Sequence, residues 1–278
     1  MRIISTLLTL ALAGYGFWWV SSNRPDLKNK IQHILDSGQF HTLELNYSAN
    51  QIMESHRKQL LKDSKHKYLE PELQFYPYVL MEVKYTTDHD ETKEGVVLWD
   101  LLDGEIVTNT KDWEKTHGFG DCINADTQSH EFKIINVLAR KGGVIDREGL
   151  SNALHLENEI LDAWIDSCRR KKLIVQSGNQ YRLHLQDPKF QNIPETKISQ
   201  WLVTKPYKDA VCIPRRYSLA QIQKIARAAF GNDFAIRRTT DVYLPVHNII
   251  VQNPDGSIKT THWNALNGKN LSPNHFLR

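Results

Sequence analysis

The sequence predicts an α+β chain: an N-terminal membrane-spanning helix, then two copies of a small strand, helix and antiparallel-sheet unit flanking a mostly helical domain. Three observations lead there. They are an uncharged apolar run at the N-terminus, an ordered set of features that occurs twice far apart, and helical periodicities between the two occurrences that close on a hairpin. The expected boundaries are 1–23 for the anchor, 24–39 for a juxtamembrane linker, 40–126 for the first unit, 127–188 for the helical domain, 189–209 for a second linker and 210–278 for the second unit. A chain of 278 residues with 40% hydrophobic and 24% charged residues can bury cores of this number and size.

Residues 3–20, IISTLLTLALAGYGFWWV, carry no charge and match the length a helix needs to cross a hydrocarbon layer of about 30 Å. Trp18 and Trp19 close the run, where amphipathic rings favour the membrane interface. Arg24, Lys28 and Lys30 then follow against Asp26, while Arg2 alone lies on the other side. The excess of positive charge after the run places the body in the cytoplasm. A competing reading is a signal peptide cut after Ala11-Leu12-Ala13, although that peptide would be unusually short. A third is a buried apolar terminus.

The first repeated stretch holds Tyr47-Ser48-Ala49-Asn50-Gln51-Ile52, then Pro77 with Val83, then Trp99-Asp100-Leu101-Leu102-Asp103-Gly104. The second holds Tyr217-Ser218-Leu219-Ala220-Gln221-Ile222, then Pro245 with Val251, then Trp263-Asn264-Ala265-Leu266-Asn267-Gly268. Ser48 with Gln51 and Ser218 with Gln221 fit the capping box, in which two side chains satisfy orphan N–H groups of a first helical turn. Both stretches should therefore start helices, the second ending near Gly231. Residues 78–85 and 96–102 read as strands, and Asp103-Gly104 and Asn267-Gly268 as two-residue hairpin turns. The helix, hairpin and closing Trp-x-x-Leu-Asp/Asn-Gly-Glu/Lys step resembles PepSY domains over about 50 residues per copy, with Asp103 or Asn267 where that family usually has Thr. The resemblance implies binding or inhibition, often outside the cytoplasm, which opposes the charge argument for topology.

Between the copies, residues 131–140 are helical and stop at Gly142-Gly143, and residues 144–145 form a short strand. Asp146 caps a second helix over 147–154, and a third helix starts near Glu157 with Ile160, Leu161, Trp164, Ile165 and Cys168 on its buried stripe. Residues 173–175 and 181–185 pair as a hairpin across Ser177-Gly178-Asn179. Three helices and a hairpin in this order resemble the winged helix-turn-helix domain. That resemblance implies DNA binding through the third helix. Its exposed positions, however, include Glu157, Glu159, Asp162 and Asp166, which repel phosphates; a basic edge comes from Arg169, Arg170, Lys171, Lys172 and Arg182. The acidic face is the expected site of a protein partner, and the basic edge the alternative site of nucleic acid.

Chemistry is weakly signalled. Glu82-Val83-Lys84, with Glu70 or Glu72 upstream, resembles the strand of metal-dependent nucleases, but period two also makes Glu82 and Lys84 an ordinary solvated strand face. His117, Asp121 and Cys122 could suggest a thiol nucleophile beside a base, or simply a glycine-bounded loop. The three cysteines and twelve histidines have no zinc spacing. No catalytic residue, metal or cofactor is expected. The net charge is only +3, yet residues 86–126 hold eleven acidic and three basic residues, and residues 205–238 eight basic and two acidic. The oppositely charged stretches could attract each other, or the basic one could face anionic lipid. The function expected is a single-pass membrane-anchored adaptor for an unidentified protein partner. A membrane-tethered DNA-binding regulator and, more weakly, a nuclease using Glu82 and Lys84 are the alternatives.

Overall fold

The computed structural model describes residues 39–271 apart from 88–89, 186–187, 192 and 207–209. The expected membrane helix falls outside the described residues. Among those described, no helix is long and apolar enough to cross a membrane.

The architecture is α+β. In chain order it runs β1 (Gln39–Leu43), α1 (Ala49–Ser55), α2 (Arg57–Leu60), β2 (Lys67–Tyr68), β3 (Glu72–Thr86), β4 (Thr92–Asp100), β5 (Ile106–Asn109), β6 (Glu114–Lys115) and α3 (Phe119–Asn124). An inserted stretch follows: α4 (Ser129–Arg140), β7 (Val144–Asp146), α5 (Arg147–Leu154), α6 (Asn158–Arg170), β8 (Ile174–Ser177) and β9 (Gln180–Leu183). The chain then returns as β10 (Leu202–Pro206), β11 (Val211–Cys212), α7 (Leu219–Phe230), β12 (Ala235–Gln252) and β13 (Ile258–Asn264).

One ten-stranded sheet, with the path β10-β1-β12-β3-β4-β5-β6, forms the body, and β2, β11 and β13 pair on its long strands. Its spine is the antiparallel pairing of β3 with β12 from Lys84↔Ala235 to Phe75↔Pro245. The two units therefore share a single sheet, which corrects the expectation of separate domains over 40–126 and 210–278. It is also a mixed sheet, because β1 runs parallel to β12. The stretch 189–209 is not a plain linker. Lys189 bridges His117, Lys197 bridges Asn109, and β10 pairs with β1 along its length.

Sequence chemistry explains the elements. Both capping boxes form: Ser48 Oγ accepts from Gln51 N–H at 3.3 Å while Gln51 Oε1 accepts from Ser48 N–H at 2.8 Å, and Ser218 with Gln221 gives 3.3 and 2.9 Å. The hairpin turns differ from expectation. Asp103 does not have positive φ; Asp100 Oδ1 instead accepts from the N–H groups of Leu102 and Asp103, and only Gly104, at φ +81°, is left-handed. A side-chain acceptor at the end of β4 thus organises a longer turn than the two-residue one expected. Asn264 does the same for Leu266, ahead of Gly268 at φ +68°.

Helix α7 packs Ile222, Ile225 and Ala226 on the face of β3 and β4 that carries Val79, Met81, Val83 and Trp99. Helix α1 packs Ile52 on Ile249, Val251 and Trp263 of β12 and β13. Among the described residues, the opposite face, with Tyr78, Leu98, Val242 and Leu244, is packed by loop residues Trp113, Leu266 and Leu271. The inserted helices share the first core: Phe119 touches Trp99, Phe132, Phe190 and Phe230 at ring-centroid distances of 5.1–6.3 Å. The insertion is therefore packed onto the sheet.

Candidate functional site

The inserted stretch is held by a few polar residues, and these decide what its surface presents. Asp146 caps α5 by accepting from Gly149 N–H at 2.8 Å, and His155, at φ 52°, turns the chain into α6. Helix α6 buries Leu161, Ile165 and Cys168 against α4. β7, β9 and β8 form a three-stranded sheet beside it in that order. Ile160, expected on the buried stripe, is 44% exposed, since it lies a full helical step outside the Leu161, Ile165, Cys168 line. Trp164 is half-buried, with the Lys133 ammonium 5.6 Å from its ring centroid.

Glu131 ties the insertion together. Its side chain has no exposed surface, and it accepts from Gln128 N–H at 2.7 Å, Ser167 Oγ at 2.6 Å and Lys171 Nζ at 2.7 Å. Burial opposes its charge, but the bonds from Lys171, Ser167 and Gln128 outweigh that and hold the carboxyl below its ordinary value. Lys171 Nζ also donates to Asp126 O at 2.8 Å. Asp126 Oδ1 in turn accepts from Lys224 Nζ of α7 at 2.5 Å, an exposed pair that links one residue of the acidic stretch to one of the basic stretch.

These bonds sort the residues singled out from sequence. Glu157, Glu159, Asp162 and Asp166 are all exposed along the outer side of α6. Asp162 is held by a two-pronged contact from Arg147, Nε to Oδ1 and Nη2 to Oδ2, each 2.8 Å, and Arg147 also donates to Asn158 Oδ1. Asp166 accepts from Arg169 at 3.3 Å. Of the basic edge, Lys171 is committed to Glu131 and Arg169 to Asp166, while Arg170, Lys172 and Arg182 are exposed. Sequence reasoning missed Glu131, Arg147 and Asp126. The spacing Gln128-x-x-Glu131 ahead of an apolar run was the available signal for the first.

The other candidates are plainly placed. Glu82 is exposed and Lys84 half-buried, on the strand face opposite Met81 and Val83, and the Arg238 guanidinium stands 4.0 Å from Glu82. Glu70 and Glu72 are exposed. No group of three or more His, Cys, Asp or Glu among the described residues could hold a metal ion. The Cys122 thiol has no exposed surface, and burial pushes its pKa far up, which disfavours the thiolate.

Two further ionic sites lie under the first hairpin. Lys115 Nζ reaches Asp100 at 2.5 Å and Asp103 at 2.9 Å, with Lys115 and Asp100 less than a tenth exposed, and it stands 5.3 Å above the centre of the Tyr78 ring. The buried carboxylate of Glu105 accepts from Gly118 and Gly120 N–H and from Thr116 Oγ1 at 2.8–3.0 Å. Burial raises its pKa against those bonds. A side chain at Gly120 would place Cβ 2.3 Å from Asp103 O, so the loop closes only with glycine there.

Compared with known families, curated proteins and solved structures, the chain matches none.

Proposed function

We propose that this chain is a single-pass, membrane-anchored adaptor in which a winged helix-turn-helix domain, carried on two copies of one α+β module, binds a protein partner through the outer face of α6. The order α4, β7, α5, α6, β8, β9 and the three-stranded β7-β9-β8 sheet support the winged-helix reading. One observation carries the choice of partner. Lys171 is withdrawn into Glu131, and the face that a winged helix would offer to DNA presents Glu157 and Glu159 beside Asp162 and Asp166, whose charges are met by Arg147 and Arg169. Each neutralised phosphate needs a free cation, and this face offers carboxylates instead.

The test is a salt titration of duplex binding by the chain lacking residues 1–23. Binding should be no tighter than the non-specific range, with Kd weaker than ~10⁻⁶ M at physiological salt. Glu159→Lys should weaken capture of the partner from membranes while leaving the unfolding midpoint within about 0.5 kcal/mol of the parent, because the position is exposed. Tight duplex binding with a steep salt slope, lost on changing Arg170 and Arg182, would replace the adaptor by the DNA-binding regulator.

The anchor reading rests on residues 3–20 and on Arg24, Lys28 and Lys30 after them. A reporter fused after Arg278 should be active in the cytoplasm. Activity on the far side alone would reverse the topology.

A further inference from the structure

The two hairpins end in turns bonded alike. Leu101 N–H donates to Pro77 O at 3.1 Å and Ala265 N–H to Pro245 O at 3.0 Å; Asp100 N–H donates to Glu105 O and Asn264 N–H to Lys269 O, both at 2.9 Å. Asp103 Oδ1 accepts from Glu105 N–H at 2.9 Å, and Asn267 Oδ1 from Lys269 N–H at 3.0 Å. Matching Pro77 to Pro245 matches Tyr76 to Leu244, and these two residues are direct partners across the β3–β12 ladder. A strand position paired with its own counterpart marks a local two-fold axis.

The contacts around that axis are crossed. The carbonyl of Leu101, in the first hairpin, accepts from Arg216 and Tyr217 N–H at 2.9 and 3.0 Å, while that of Ala265, in the second, accepts from Asn46 and Tyr47 N–H at 3.0 and 2.9 Å. The Tyr217 ring lies where a Cβ on Gly104 would meet it, and the Tyr47 ring lies likewise over Gly268. His247 Nε2 adds a 2.9 Å bond to Tyr47 O. Helix α7, which precedes the second hairpin, covers the first; helix α1, which precedes the first, covers the second.

We infer that the body is a dimer of one module written in a single chain, closed by reciprocal exchange of the two capped helices, and that a second copy of the chain can supply either half. The inference rests on reading the two units as copies of one module. It does not depend on the partner, on DNA or on the membrane, so its failure and theirs are distinguishable.

Complementation between full-length chains in detergent tests it. Trp99→Asp disables the first hairpin and Trp263→Asp the second, because both indoles are fully buried. Refolded alone, neither variant should show a cooperative transition. Refolded together, they should yield a 1:1 complex with one, joining α1 and the second hairpin of the Trp99→Asp chain to the first hairpin, insertion and α7 of the other. No recovery in the mixture would overturn the inference, and so would cooperative folding of either variant alone, since one half would then not need the other.

Amide exchange in the whole chain supplies a gentler arm. Tyr47→Ala should speed exchange about tenfold at residues 265–268 and leave 101–104 unchanged, and Tyr217→Ala should do the reverse. Loosening on the mutated side would overturn the crossing.

Discussion

Lys115→Met lowers folding stability by about 3–5 kcal/mol, the usual cost of removing one partner from a buried ion pair. The methionine fills the space, but Asp100 and Asp103 lose the ammonium that both of them contact in a site closed by Tyr78. Chemical denaturation is the measurement. The second hairpin shows how the defect should be relieved, because Asn264 and Asn267 make the corresponding turn bonds without charge. Adding Asp100→Asn and Asp103→Asn to Lys115→Met should therefore recover most of the loss. A loss below about 1 kcal/mol for Lys115→Met alone would mean that the carboxylates are reached by water, as in an exposed pair.

Glu131→Ala should cost about 2–4 kcal/mol, the combined loss of a helix cap and of charge-assisted bonds to Ser167 and Lys171. The effect should depend on pH in a defined direction. The folded-state pKa of Glu131 lies below its ordinary 4.5, so the stability it contributes is present above about pH 4.5 and is lost as pH falls through the folded value. Glu105 runs the other way: its raised pKa favours the fold below 4.5, and that contribution fades as pH rises through the folded value. Glu131→Gln should accordingly flatten the acid limb of the stability profile. A limb unchanged by Glu131→Gln would assign acid sensitivity to other carboxylates.

How much of this was legible follows from the range of each interaction. Local bonds were readable: the two capping boxes, the Asp146 cap and the glycine stop after α7 involve residues within four positions of one another, and each appears where the spacing predicts. Alternation along β3 likewise placed Glu82 and Lys84 on the outer face. Partners far apart in sequence were not readable. Nothing local in Gly142-Gly143 or in residues 189–201 announces that β12 joins β3, that Thr196 Oγ1 bridges Leu98 N–H and Val107 O, or that Lys171 turns inward to Glu131. A run such as Arg169-Arg170-Lys171-Lys172 reads as one basic edge, yet two of its four members are spent on carboxylates. Charge patterning gives the supply of cations; only tertiary pairing says how many remain free.

The crossed helices also set a timetable for synthesis. Helix α1 leaves the ribosome early, but the surface that covers Ile52 includes Trp263, so about 210 residues must follow before it can dock, roughly 10–40 s at 5–20 residues per second. The first hairpin waits for α7 in the same way, though for a shorter stretch. During that interval Ile52 and the apolar face of β3 and β4 stand uncovered, while the inserted helices, whose contacts are mostly local, can form first. The nascent chain therefore passes through a long period in which its middle helices have formed while Ile52 and the first hairpin wait for packing partners that the last hundred residues provide.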